Sequence, residues 1–289
     1  MTPRERAEKC LPFLVSRGVS KRRACKALGI SRATASYKPL MPAKNAEIDK
    51  SVKQFAMKHP RWGYRLLHAK MSMSKTKKRV PSTGRVWRSW KRMELQLSNR
   101  SRYKRVKSKQ HRGMSSICPN GIWAYDFTFS RCANGQKLKC LTVIDEWTRE
   151  CLAIHVAARI KANDVVAVLT RLITTHGSPA NLRSDNGPEF VSNKVQKWLK
   201  KENVDTAYID KGKPWQNGIN ESFNKTLKRE LLNFEHLPNR MAARNLIENW
   251  RQKYNTQRPH SGNGYKTPIE KKKDWTKENK QYRKIRHAA

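Results

Sequence analysis

The sequence predicts an α/β domain preceded by small all-α domains. Beyond residue 119, three segments rich in aromatic and β-branched side chains (122–129, 140–144 and 151–156) read as strands, the first two separated by an Asn134-Gly135 turn. Val165, Val168, Leu169 and Leu172 then follow at helical spacing, and short apolar segments alternate with helices as far as Leu232. Ahead of residue 119 only helical patterns occur, opened by Ser or Pro and rich in Lys and Arg.

Residues 1–40 read as a helix-turn-helix domain. A first helix is predicted over 3–16, with Leu11, Leu14 and Val15 inward. Ser20 is placed to cap a second helix carrying Ala24, Cys25 and Leu28, Gly29-Ile30 makes the turn, and Ser31 caps a third. Arg22, Arg23 and Arg32, with Thr34 and Ser36, are the side chains available to a DNA groove. A helical hairpin that packs on a partner is the alternative.

Residues 41–97 read as a second helical DNA-binding domain. A helix over 46–58 is broken at His59-Pro60, and Trp62-Gly63-Tyr64-Arg65 restarts the chain. Pro81-Ser82 opens a last helix whose Trp87 and Trp90, at i and i+3, are expected in the core. Arg61, Arg65 and the run Lys77, Lys78, Arg79 are candidate DNA contacts. Apolar residues nearly vanish over 98–118, a basic linker in which Arg102 and Arg105 suit a phosphate backbone.

Charge points to the partner. Sixty-three Lys and Arg against 22 Asp and Glu leave a net +41 on 289 residues. Residues 1–120 alone hold 32 basic and 5 acidic side chains, a net +27. An excess this large implies a polyanion, and nucleic acid fits better than a membrane because no amphipathic anchor stands out. No apolar run approaches the roughly 18 residues of a membrane span, and the N-terminus shows no secretion segment, so the expected location is cytoplasmic and nucleoid-associated. The six cysteines form no Cys-x-x-Cys pair and are expected as buried thiols rather than disulfides or zinc ligands.

Three carboxylates stand out. The strand over 122–129 puts Trp123, Tyr125, Phe127 and Phe129 on one face and Asp126 on the other, beside Ala124 and Thr128. An acid there is expensive to bury unless something pairs with it, and a divalent metal that prefers hard oxygen ligands would do so. Asp185 falls on a turn marked by Asn186-Gly187-Pro188. Glu221 lies on a helix whose Ile219, Phe223, Leu227 and Leu231 recur every fourth residue, which leaves Glu221, Lys225 and Lys228 on another face. Asp145 and Glu146 are expected to cap a turn, Glu189 to cap the following helix, and His155 to pack in its strand.

These segments resemble a known family. Trp123-x-x-Asp126-x-Thr128, Ser184-Asp185-Asn186-Gly187-Pro188-Glu189-Phe190 and Asn217-Gly218-x-Asn220-Glu221-Ser222-Phe223-Asn224 are similar to motifs of the insertion-sequence-three (orfAB) transposases, whose core is similar to that of retroviral integrases. The thirty-five residues between Asp185 and Glu221 match that family's gap. Tyr254-Asn255-x-x-Arg258-Pro259-His260-Ser261 and Tyr265-x-Thr267-Pro268 resemble its C-terminal signature. The resemblance implies an RNase H-like (integrase core) domain over 119–275, followed by a basic tail at 276–289. It further implies a second-frame (OrfB-like) DDE transposase that hydrolyses and transfers strands at insertion-sequence ends. Asp126, Asp185 and Glu221 would be catalytic and hold two Mg²⁺ (or Mn²⁺) ions. The implied partners are double-stranded DNA (terminal repeats and target), a first-frame (OrfA-like) protein and further copies of the chain on DNA. Lys213, Lys225, Lys228 and Arg229 would hold the DNA end, with Asn186 and Asn217 positioning the site.

Two other functions compete. A non-enzymatic helix-turn-helix regulator would account for the charge but gives the acid spacing no purpose. An RNase H-like nuclease would cut without joining, and fold does not separate the two.

Overall fold

The computed structural model describes residues 2–36, 41–73, 80–97, 115–184, 187, 189–190, 192–208 and 217–288. They fall into two compact units, 1–54 and 55–289. Of the candidate site residues, Lys77, Lys78, Arg79, Arg102, Arg105, Asp185, Asn186 and Lys213 lie outside the described residues.

In the first unit, α1 (Pro3–Glu5) passes through a π-turn, Arg6–Cys10, into α2 (Leu11–Ser16). Thr2 and Glu5 form a reciprocal capping box at its start. The widened turn stands just ahead of Pro12, which has no N–H to return to the carbonyl four residues back. The helix-turn-helix pattern follows as α3 (Lys21–Ala27) and α4 (Arg32–Ser36). Ser20 Oγ accepts from Arg23 N at 3.5 Å and Ser31 Oγ from Thr34 N at 2.9 Å. Leu11, Ala24, Cys25 and Ile30 make the core, with Leu14 and Leu28 packed on it. Val15, expected inward, is 44% exposed: Leu11 and Leu14 define the buried face, and Val15 is turned about 100° from Leu14.

α5 (Met41–Lys58) spans the boundary between the units. In the second unit α6 (Tyr64–Met73) and α7 (Thr83–Arg92) pack on each other, and Leu67, Met71, Val86 and Trp90 are buried. Trp87, expected in the core, is 44% exposed with Lys91 Nζ 5.8 Å from its ring centroid. Only the stripe Val86, Ser89, Trp90 is covered, and Trp87 stands one residue off it.

The α/β domain is a five-stranded sheet in the order β3-β2-β1-β4-β5. β1 (Ile122–Arg131), β2 (Lys137–Asp145) and β3 (Cys151–Ala157) form an antiparallel meander, while β4 (Asn181–Ser184) and β5 (Asp205–Tyr208) run parallel to β1. Gly135, at φ +80°, makes the β1–β2 turn, a backbone conformation that favours glycine. α8 (Ala162–His176) links β3 to β4, α9 (Asn193–Lys201) links β4 to β5, and α10 (Gly218–Leu227) follows β5. This strand order and mixture of directions is the RNase H-like arrangement.

Alternation along the strands splits the core in two. Trp123, Tyr125, Leu141 and Leu182 pack with α8 and α9, whereas Cys140 and Ile144 pack with Phe223 and Leu227 of α10 and Ile247 of α11 (Arg240–Gln257). Phe129, expected on the first face, is 60% exposed because it lies near the free end of β1. Past α10 the chain makes a π-turn, Lys228–Leu232, that buries both Leu231 and Leu232. α12 (Pro268–Ala288) runs on past residue 276. No described helix is long and apolar enough to cross a membrane.

Candidate active site

Asp126 sits mid-strand on β1 and is half-buried. Its Oδ1 accepts from Phe127 N at 2.7 Å, and its Oδ2 accepts from Asn224 Nδ2 at 2.9 Å. Asn224 is three residues beyond Glu221 on α10, so this bond joins Asp126 to the helix that carries Glu221. Glu221 stands in the first turn of α10, where the helix dipole favours an anion. Its side chain is 40% exposed and pairs with Lys225 Nζ at 3.2 Å, an exposed i,i+4 contact of small energetic weight.

Asn224 and its neighbours escaped the sequence reading. Thr142, opposite Asp126 in the β1–β2 register, is fully buried with its hydroxyl 3.1 Å from Asp126 O and 3.2 Å from the Oδ1 atoms of Asn220 and Asn224. The hydroxyl satisfies one of these acceptors at a time, and the trio ties β2, β1 and α10 together beneath the carboxylate. The only sequence signal was the pair of asparagines at 220 and 224, polar residues on the inner face of an otherwise amphipathic helix. Asn217, expected to position the site, is buried at the N-cap of α10. Thr128 Oγ1, two residues along β1 from Asp126, is buried without a hydrogen-bond partner among the described residues.

The acids expected to cap turns divide. Asp145 does so: its carboxylate accepts from Thr148 N and Oγ1 at 2.7 Å and from Asn120 N at 2.7 Å, while burial pushes its pKa up. Glu146 instead receives both bonds of a buried pair, Arg183 Nη1 to Oε1 at 2.7 Å and to Oε2 at 2.9 Å. Burial raises the Glu146 carboxyl, and Arg183 opposes the rise. Glu189 does not cap α9, because Ser192 Oγ takes that position by accepting from Val195 N. It pairs with Lys139, which holds the Glu189 carboxyl below the usual range. His155 is half-buried in β3, as expected.

The other described candidates are distributed. Arg22, Arg23 and Arg32 are exposed on α3 and α4. The Arg61 guanidinium lies 4.2 Å above the Phe234 ring, and Arg65 Nε donates to Tyr64 Oη at 3.2 Å. Lys225 and Arg229 are exposed, Lys228 half-exposed, and Arg229 Nη2 reaches Glu230 at 3.3 Å. A cavity of about 740 Å³ lies elsewhere, between α6 and the start of α12, lined by Arg65, His68, Tyr265, Lys266 and Glu270. It contains neither Asp126 nor Glu221.

The C-terminal signature proves to be a structural tie. Asn255 exchanges two 2.9 Å hydrogen bonds with the Cys151 backbone, and Asn263 Nδ2 donates to Thr148 O at 2.6 Å. Arg258 forms a buried pair with Glu230, and His260 packs edge-on against Tyr254. Burial holds the His260 imidazole down at about 3, with the nearby Arg258 and Arg149 charges adding to the effect. The cysteines are all free thiols; Cys25, Cys132, Cys140 and Cys151 are buried and Cys10 and Cys118 partly so.

The chain is similar to several known proteins. Residues 117–214 match an "Integrase core domain" family, and residues 202–268 match a second family of the same description. An uncharacterized 39.2 kDa protein of insertion element IS476 from Xanthomonas euvesicatoria is 32% identical over 93% of this chain and 77% of its own length. An uncharacterized 31.7 kDa protein of insertion element IS407 from Burkholderia multivorans is 34% identical over 87% of this chain and 90% of its own. Transposase InsD for insertion element IS2 of Escherichia coli is 27% identical over 73% of each. Among solved structures, the HTLV-2 integrase catalytic core domain in complex with magnesium is 20% identical, with a TM-score of 0.43, over 53% of this chain and 97% of that one. Related above 30% identity to two insertion-element proteins along most of their length, the chain belongs to the insertion-element transposase family built on an integrase core, a polynucleotidyl transferase of DNA transposition and integration.

Proposed function

We propose that Asp126, Asp185 and Glu221 form a DDE site that holds two divalent metal ions, Mg²⁺ or Mn²⁺, and cleaves and joins strands at insertion-sequence ends. The observation that carries this reading is the hydrogen bond from Asn224 to Asp126, which joins the first acid to the helix of the third. Asp185 follows directly on β4, the strand beside β1. The donor set fits hard cations: carboxylate oxygens, with the buried, unpartnered Thr128 hydroxyl nearby. When bound, such metals stabilise negative charge on the attacking and leaving oxygens of phosphodiester transfer.

The chain's own residues do the rest. Asn224 and the Phe127 amide keep Asp126 oriented, and Thr142 fixes Asn224. Lys225 offsets the Glu221 charge and, with Lys228 and Arg229, supplies cations for the phosphates of the DNA end. Arg22, Arg23 and Arg32 of the first unit grip duplex DNA, and so does the exposed face of α7, which carries Trp87, Arg88, Lys91 and Arg92. The assembly on DNA includes further copies of the chain and a first-frame partner, in the cytoplasm and on the nucleoid.

The purified chain, incubated in Mg²⁺ with labelled flanking DNA of its own locus, tests the site. Asp126→Asn, Asp185→Asn and Glu221→Gln each keep size and remove one metal-holding charge. Each should abolish cleavage and joining while DNA affinity stays within about a few-fold. Exposed Glu235→Gln is the control. Transposition by all three variants would refute the enzymatic site, and cleavage without joining by the wild type would favour a nuclease.

A further inference from the structure

We propose that the cleft between α6 and the start of α12 holds an unpaired nucleotide of a bound DNA strand, its base stacked on Tyr265 and its phosphate on Arg65. The inference rests on DNA as the substrate of the chain and is independent of which acids hold metal.

The cleft, about 740 Å³, falls in the roughly 300–1,000 Å³ range of small-ligand sites. Its walls set the Tyr265 ring among charges of both signs, Arg65 and Lys266 with Glu270 and Asp274, beside His68. Neither Asp126 nor Glu221 reaches it, so it is a place to hold a strand and not to cut one.

Tyr265 is there at a cost. Gly264 and Tyr265 are successive left-handed positions, at φ +63° and +64°. Glycine takes the first freely, whereas a tyrosine at the second is strained. The turn fixes it: Tyr265 N donates to His260 O at 2.8 Å, and His260 N donates to Lys266 O at 3.2 Å. Core packing does not account for the ring, since Tyr265 is 38% exposed and stacks on no other ring among the described residues. An open aromatic face, held rigidly beside cations, is what base stacking requires.

The charges suit a whole nucleotide better than a duplex backbone. Arg65 donates to Tyr64 Oη at 3.2 Å and forms no ion pair among the described residues, which leaves its guanidinium to a phosphate. Lys266 Nζ pairs with Asp274 Oδ2 at 2.6 Å, and Glu270 Oε2 accepts from Thr267 N at 2.8 Å and Thr267 Oγ1 at 2.9 Å. The other oxygen of each carboxylate can accept from the N–H donors of a base edge. A surface built for phosphates alone gains nothing from two acids. A strand is favoured over a free nucleotide by the net charge of +41 and by α7, packed on α6, whose exposed face carries Arg88 and Lys91.

The test uses the full chain without Mg²⁺ and two duplexes of its own flanking DNA, one fully paired and one ending in a short unpaired extension. By fluorescence anisotropy the extended duplex should bind about 5- to 150-fold more tightly, and abasic sugars in the extension should remove the gain. Tyr265→Gly deletes the ring and relieves the backbone, so it should lose the gain with a thermal midpoint no lower than wild type. Tyr265→Phe keeps a stacking face and should keep the gain. Arg65→Gln should weaken binding of the extended duplex and lower its slope of log affinity against log salt by about 0.7, the single-strand value. 2-Aminopurine in the extension should be quenched by wild type and Tyr265→Phe but not by Tyr265→Gly. Equal affinity of the wild type for both duplexes would overturn the inference, as would a gain that survives abasic sugars or Tyr265→Gly. A midpoint that falls in Tyr265→Gly would place the ring in the fold and overturn it as well. So would Tyr265-dependent binding of free dAMP with no gain for the extended duplex, the mark of a small-molecule site. Because binding is read without metal, a lost gain leaves the acids of the proposed active site standing, and active Asp126→Asn or Glu221→Gln variants leave this inference standing.

Discussion

Arg258→Met should destabilise the second unit strongly without touching the chemistry. Arg258 and Glu230 side chains are 9% and 5% exposed, and three contacts of 2.9–3.1 Å join them. Removing the arginine leaves a carboxylate in the interior, a loss that typically costs about 3–5 kcal/mol. Arg229 already reaches Glu230 at 3.3 Å from the surface and softens the loss, so about 3 kcal/mol is expected. With a urea m-value of about 3 kcal/mol/M, the unfolding midpoint should fall by about 1 M. Arg258→Met with Glu230→Leu should regain most of it, because no charge is then stranded. Cleavage measured well below the midpoint should stay near wild type. An unchanged midpoint together with lost cleavage would refute the reasoning and place Arg258 on DNA.

Three further outcomes follow from neighbouring interactions. Asn224→Ala removes a hydrogen bond to a charged group, worth about 1.5–3 kcal/mol, and should slow single-turnover cleavage by about 10- to 150-fold at unchanged DNA affinity; an undiminished rate would remove Asn224 from the site. His260, held down at about 3 from an ordinary 6.5, binds its proton more readily unfolded. Its contribution to stability is therefore complete above pH about 6.5 and is lost progressively as pH falls toward about 3. His260→Gln should flatten the fall in urea midpoint between pH 6.5 and 4.5, while Asp145 and Glu146, both raised by burial, titrate in both proteins and cancel; parallel curves would count against it. Replacing Arg22, Arg23 and Arg32 by Gln should reduce the slope of log affinity against log salt by up to about 0.9 for each phosphate no longer neutralised, read by fluorescence anisotropy on duplex DNA, and an unchanged slope would take them off the phosphates.

What the sequence determined by itself was whatever rests on neighbours in the chain. Period-two alternation places Trp123 and Tyr125 on one face of β1 and Asp126 on the other, and the four-residue spacing of Phe223, Leu227 and Leu231 orients α10 with Glu221 outward. Ser20 and Ser31 mark helix starts by chemistry that acts within three residues. Order of elements, strand identities and the motif spacing that carries the family likeness are all legible on that scale. What only the tertiary structure decided depends on partners far apart in sequence. Asn224 finds Asp126 across 98 residues, and Asn255 finds Cys151 across 104. Glu189 read as a cap because its local context suits one, until Lys139, fifty residues upstream, arrived from β2. Glu146 read as a turn acid until β4 brought Arg183 beside it. Trp87 and Trp90 share one spacing, yet one is covered and the other exposed, since coverage depends on which helix lies opposite. Periodicity states which side chains share a face; a charge or an amide within that face takes its role from whatever the fold delivers to it, because hydrogen bonds and ion pairs act over only about 3–4 Å.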